Sequence, residues 1–146
     1  PGIVTQFIGW SQSFQDPPFE IREIDPKFLA VAQGDPNTTY HYSYWELEED
    51  EIYTVVLRPP KTFDYWNLQI GNHWLESFGY LYYDTHLNHE TASREDDGSV
   101  RIHISAKDPG KANWLDTAGH TRGALALRWV GADAPPPTPE TSVRKA

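Results

Sequence analysis

Up to Gly34 the apolar positions fall at helical spacing; beyond it they fall at every second position. Ile3, Val4, Phe7, Ile8 and Trp10 predict a short amphipathic helix through Phe14, stopped by Pro17-Pro18. Residues 19–24 extend briefly. Asp25-Pro26 then has the form of an N-cap with proline at the first helical position. Phe28, Leu29 and Val31 follow, and Gly34 closes a second helix. Gly34-Asp35-Pro36-Asn37 is a turn signal, after which residues 40–47 alternate Tyr40, Tyr42 and Tyr44 against His41, Ser43 and Trp45. Further strands are predicted over residues 52–57, 65–70, 100–106 and 124–130. In the third strand, Trp66, Leu68 and Ile70 share one face, with Tyr65, Asn67 and Gln69 on the other. In the last, Leu125, Leu127 and Trp129 oppose Ala124, Ala126 and Arg128. Residues 72–83 fit neither period and predict a loop or single turn, then a strand through the tyrosines. Residues 85–94 read as extended, and Asp97-Gly98 as a hairpin turn.

Six or seven short strands without helical crossovers predict an all-β fold, an antiparallel sandwich or jelly-roll-like barrel, with one or two short helices at its N-terminal side. The expected organisation is an N-terminal helical or linker segment over 1–36, a sandwich over 37–132 and a Pro-rich tail over 133–146. Pro135, Pro136, Pro137 and Pro139 keep that tail out of a sheet interior. A chain of 146 residues is long enough to bury a core without metal or disulfide staples, and it has no cysteine to build either. It also has no methionine, so it reads as a piece of a longer protein.

Charge and chemistry narrow the function classes. The net charge of −9 argues against a nucleic-acid partner, whose phosphates call for a basic surface. No apolar run is long enough for a membrane span. The run Glu48-Glu49-Asp50-Glu51 lacks a glycine-spaced ligand loop and reads as a solvated turn. Asn37-Thr38-Thr39 matches a glycosylation acceptor, relevant only to a secreted eukaryotic protein. His86 and His89 would point to opposite faces of a strand, and there is no His-x-His or His-Glu-x-x-His pattern. Neither a metal nor a cofactor is therefore expected. No nucleophile elbow is present.

Two places remain. The first is the polar loop between Asp108 and Arg122. There His120 as acid or base, Asp116 as its orienter and Arg122 or Arg128 as an anion clamp would compose a hydrolase- or lyase-like site. The blander reading makes Asp116 a turn cap and Arg128 the partner of Asp116 or Glu76. The second is an aromatic face of Tyr40, Tyr42 and Tyr44, with Tyr65 and Asn67 beside it if the strands are neighbours, and with Trp114 as a further platform. It suits a carbohydrate or a small anionic molecule. Against that, the two helices are expected to cover this face.

The segments Tyr65-Trp66-Asn67-Leu68-Gln69, Trp74-Leu75-Glu76-Ser77, Asp108-Pro109-Gly110, Asn113 to His120, Gly123 and Leu127-Arg128-Trp129 resemble the bacterial family catalogued as domain of unknown function 1214. The resemblance runs from about Gly34 onward. It implies a jelly-roll-like β domain at the C-terminal end of a larger protein, with an upstream domain as partner, and it implies no reaction. The leading expectation is an accessory or ligand-binding β domain. An enzyme built on the His120 loop and a purely structural interface are the alternatives.

Overall fold

The computed structural model describes residues 2–15, 17–31 and 34–146, with the side chains of Gln6, Phe7, Trp10, Phe14, Pro26, Phe28 and Val31 outside that description. Helix α1 spans Ile3–Phe14 and α2 spans Pro26–Val31. Asp25 Oδ1 accepts the Lys27 amide at 2.8 Å, as an N-cap should, and the Gly34 amide returns to the Leu29 carbonyl. The strands are β1 (Arg22–Glu23), β2 (Thr38–Glu46), β3 (Glu51–Leu57), β4 (Tyr65–Asn72), β5 (His86–Asn88), β6 (Val100–Ser105), β7 (Trp114–Asp116), β8 (Arg122–Val130) and β9 (Glu140–Lys145). They form two sheets, β1-β2-β8-β4-β5 (sheet A) and β7-β6-β3-β9 (sheet B), antiparallel except at the β6–β7 pair.

Alternation along the strands is what makes this a sandwich. Trp45, Trp66, Leu68, Ile70, Leu125, Leu127 and Trp129 of sheet A meet Tyr53, Val55, Leu57, Ile102 and Ile104 of sheet B in one buried cluster. Trp66 and Trp129 sit on the same rung with ring centroids 5.8 Å apart, and the Trp45 indole N–H donates to the Ala124 carbonyl. Outward positions of sheet A alternate with these, whereas the outward row of β3 keeps the apolar Ile52 and Val56 beside Thr54.

The structure departs from the sequence expectations in four places. The tyrosines from Tyr80 to Tyr83 form a turn, not a strand: the amides of Tyr82 and Tyr83 both return to the Gly79 carbonyl. The segment is wide open to solvent, with Leu81 78% and Tyr82 84% exposed. Of residues 85–94 only His86–Asn88 is a strand, because Asn88 Oδ1 and Thr91 Oγ1 template a turn immediately afterwards. Asp97-Gly98 does make a turn, with Gly98 at φ 81, but its flanks β5 and β6 lie in different sheets. Finally, the segment from Asp133 is not all tail. Past its prolines, β9 pairs with β3 in register from Glu51↔Lys145 to Val56↔Glu140, as an edge strand with charged side chains. Likewise β1 pairs with β2, so strand pairing extends beyond residues 37–132 at both ends.

Candidate functional site

β8 lies between β2 and β4, so the outer face of sheet A is built of three-residue rungs. These are Tyr40–Arg128–Asn67, Tyr42–Ala126–Gln69 and Tyr44–Ala124–Gly71. Side chains directly opposite stand only about 5 Å apart at Cβ. Large residues on the flanking strands and alanines in the middle therefore leave a trench, about 170 Å³ in volume. The tyrosine row and the Asn67–Gln69 row are thus not adjacent, as the binding expectation required. They are the two banks of a groove whose floor is Ala124 and Ala126.

The hairpin over residues 72–77 closes one end of the groove, and Asn72 shapes it. Its Oδ1 accepts the amides of Trp74 (2.9 Å) and Glu76 (3.0 Å), and its Nδ2 donates to Glu76 Oε2 at 2.7 Å. That template holds Leu75 at φ 68, a left-handed conformation that costs an ordinary residue about 1–2 kcal/mol. The hairpin sits so close to β4 that a Cβ on Gly71 would stand 2.5 Å from the Glu76 carbonyl oxygen. Sequence reasoning missed the hairpin, whose one legible signal was an asparagine two residues before Trp74.

Arg128 stands at the other end, half-buried. The structural pairing with Asp116 or Glu76 is not made. Among the described residues Arg128 has no ion pair, Asp116 is engaged elsewhere and Glu76 is held by Asn72. The groove therefore has a cation at one end and a carboxylate at the other. Four residues of strand separate the Arg128 and Ala124 rungs, about 13 Å.

The polar loop is explained by backbone geometry. Ala118 (φ 52) and Gly119 (φ 78) are the central residues of a tight turn closed by the His120 amide on the Thr117 carbonyl at 2.9 Å. Two consecutive left-handed residues define a type I′ turn. Asp116 Oδ1 accepts the Ala118 amide at 2.8 Å and offsets the strain of the non-glycine residue there. Asn113, itself at φ 58, bonds Ser93 through both its amide atoms and donates to the Arg101 carbonyl. Asp-Thr-Ala-Gly-His is in this sense a turn written out in side chains.

His120 is exposed and stacks on the Phe78 ring, 4.5 Å between centroids and 21° between planes; no carboxylate pairs with it among the described residues. Arg122 reaches the Tyr44 hydroxyl, whose pKa is raised chiefly by burial. Asp116, His120 and Arg128 are therefore not brought together: Asp116 caps a turn, His120 lies on Phe78, and Arg128 stands at the end of the groove; Arg122 and His120 both act on His73. Of the residues named for binding, Tyr40 and Tyr42 line the groove, and Asn67 flanks Arg128. Tyr44 is buried on the same row. Tyr65 packs on His89 at 5.2 Å, and Trp114 belongs to sheet B, its indole donating to the Ser105 carbonyl. The expected helical cover of the tyrosine face falls largely on Phe7, Trp10, Phe28 and Val31, which lie outside the described side chains; Tyr40 and Tyr42 themselves remain partly exposed. Among the described residues no cluster of three His, Asp or Glu side chains is placed to hold a metal ion, and no helix is long and apolar enough to cross a membrane.

Comparison with known proteins gives a family and a fold. The model of the family described as "Protein of unknown function (DUF1214)" matches residues 38–134. The fold is similar to that of an uncharacterised protein from Burkholderia cenocepacia, at 37% identity and a TM-score of 0.90, over 95% of this chain and 38% of that one. It is also similar to the VPA0106 protein from Vibrio parahaemolyticus, at 22% identity and a TM-score of 0.61, over 80% of this chain and 34% of that one. The chain thus spans little more than a third of either protein. No curated protein matches it.

Proposed function

Starting from a chain that belongs to the family of unknown function DUF1214, we propose that it is an accessory β domain of a larger protein and that it binds a small molecule in the groove of sheet A. The observation that carries this reading is Arg128, a half-buried residue whose guanidinium has no ion pair among the described residues, set between Tyr40 and Asn67 at the end of an alanine floor. A guanidinium at the end of a groove and without an ion pair is free to take an anion, and its planar fork fits a carboxylate in two parallel hydrogen bonds. Glu76 at the far end suits a hydroxyl or amino donor on the same molecule. The volume of about 170 Å³ lies below the roughly 300–1,000 Å³ of drug-sized pockets, so the occupant is a small carboxylate or the acidic end of a longer molecule, including an acidic sugar.

The test is calorimetric titration of the protein with a panel of small carboxylates, neutral sugars and sugar acids, repeated on Arg128→Gln. Carboxylate-bearing members bind, and the substitution weakens them about tenfold or more, the worth of a charge-assisted hydrogen bond. A panel without any binder, or binding indifferent to the substitution, refutes the reading. An enzyme acting through His120 draws no support from this geometry, because the imidazole lacks an orienting acid among the described residues.

A further inference from the structure

We propose that the outer face of sheet B carries a second, separate site, for a small tetrahedral oxyanion of the phosphate class, centred on His103. His103 is only 4% exposed, yet its ring lines a cavity of about 370 Å³ between β6, the β6–β7 connection and the loop before β6. Thr54 on β3 holds the ring, with Oγ1 3.2 Å from Nδ1. When the Thr54 hydroxyl donates to Nδ1, the ring proton is left on Nε2, which has no partner among the described residues and can donate to an oxyanion. Arg101, Lys111 and Arg94 line the same cavity, and Arg144 on β9 adds its field.

One acid lines the cavity, Glu95, whose contact with Arg101 is long at 3.7 Å, while Asp84 and Asp108 share the neighbouring pocket with Lys111; Lys111 and Arg94 have no ion pair among the described residues. In a chain of net charge −9, four cations gathered on a buried imidazole repel one another. A doubly charged oxyanion relieves that repulsion and accepts from Nε2 and from the guanidinium fork together. Burial and the cations Lys111, Arg101 and Arg144 hold His103 below the ordinary imidazole range. A bound anion opposes that field, so an oxyanion that keeps its charge, such as sulfate, binds more strongly as pH falls through the His103 titration.

The experiment follows the His103 ring resonances by NMR during titration with inorganic phosphate, with sulfate, acetate and chloride at matched ionic strength as the other arms. The expected result is a saturable shift with phosphate and sulfate, a His103 titration midpoint raised by phosphate, and a half-saturation at least about tenfold higher in Lys111→Gln and in Arg101→Gln. Lys111 is exposed, so its substitution leaves folding out of the question. His103→Gln, which keeps a donor near Nε2, retains binding to sulfate, read from the amide resonances of residues 101 and 111, but loses its pH dependence. Shifts that track ionic strength alone, that chloride reproduces, or that Lys111→Gln leaves unchanged overturn the proposal.

Discussion

Replacing Gly123 with alanine tests how much of the groove's architecture rests on one missing methyl. Gly123 shares a rung with Trp45 and Asn72, and its hydrogen points inward. A Cβ there would lie 2.5 Å from Trp45 Cζ2 and 2.8 Å from Cε2, and closer still to the carbonyl oxygen of Gly71. Neither neighbour can yield cheaply. Trp45 is fully buried, its indole N–H bonded to the Ala124 carbonyl, and the Gly71 carbonyl belongs to the β4–β8 strand pair. Forcing a methyl into a packed core costs about 1–3 kcal/mol, and disturbing a ladder bond adds about 1 kcal/mol. Against this, alanine restricts the unfolded chain and returns about 0.4–1 kcal/mol. The net loss is therefore about 1–3.5 kcal/mol, centred near 2 kcal/mol, a large share of the 5–15 kcal/mol typical of a domain. Urea denaturation followed by tryptophan fluorescence should show the midpoint lowered by that loss divided by m, at an unchanged m value. Gly119→Ala is the control. There a Cβ meets open space and only φ 78 is strained, so the loss should stay near 1–2 kcal/mol. If Gly123→Ala loses less than about 1 kcal/mol, or less than Gly119→Ala, the close approach is not what glycine provides at that position.

Three further outcomes follow from the same geometry. Ala126→Leu fills the groove floor between Tyr42 and Gln69; it should abolish binding of any carboxylate identified by titration while leaving the denaturation midpoint unchanged or slightly raised. A midpoint loss above about 1 kcal/mol would mean the floor is not open space. His120→Ala removes an exposed ring stacked on Phe78, so stability should fall by no more than about 1 kcal/mol in thermal or chemical denaturation; unfolding would make the imidazole architecture. Stability should also decline as pH falls below about 6.5. Burial lowers the folded-state pKa of His41, which is 1% exposed with both ring nitrogens unpartnered among the described residues, and also that of His103. Between folded and unfolded values the unfolded chain binds more protons, so protonation favours unfolding by up to about 1.4 kcal/mol per pH unit for each group. In denaturation curves at several pH values, His41→Leu should flatten this slope; a slope unchanged by it assigns the effect elsewhere.

What could be read from the chain was faces. Alternation in residues 40–47, 65–70 and 124–130 placed each inward tryptophan and each outward tyrosine correctly, because a strand's period is a local property. Neighbours are a different matter. Nothing in the alternation says that β8 inserts between β2 and β4, since that pairing joins residues some eighty positions apart in sequence. The groove consequently appears only when the Ala124–Ala126–Arg128 face is set between two rows that look adjacent on paper. Propensity misled at Tyr80–Tyr83, where β-favouring residues carry no alternation and Gly79 collects their amides. β7 and β9 escaped notice for opposite reasons. One is three residues inside a polar loop, and the other is a polar edge strand whose place is set by backbone bonds to β3. Acid, hydroxyl and imidazole side by side look like reagents, but two left-handed residues in succession need just such a cap.

The pairing of β9 with β3 has a consequence for how the molecule comes into being. The carbonyl of Phe19 accepts both the Tyr53 hydroxyl, at 3.2 Å, and the Thr141 hydroxyl, at 2.8 Å, so one backbone atom joins an early segment, a central strand and a late one. A ribosome makes Glu51–Leu57 some ninety residues before Glu140–Lys145. Throughout that interval one edge of β3, a nearly uninterrupted apolar strand, lacks its partner. Loop closure over such a span is slow compared with local pairing. During synthesis the nascent chain therefore carries an adhesive seam until β9 seals it. The charged residues of β9 then become the outer border of the sheet, turning the seam into a surface that repels further strands.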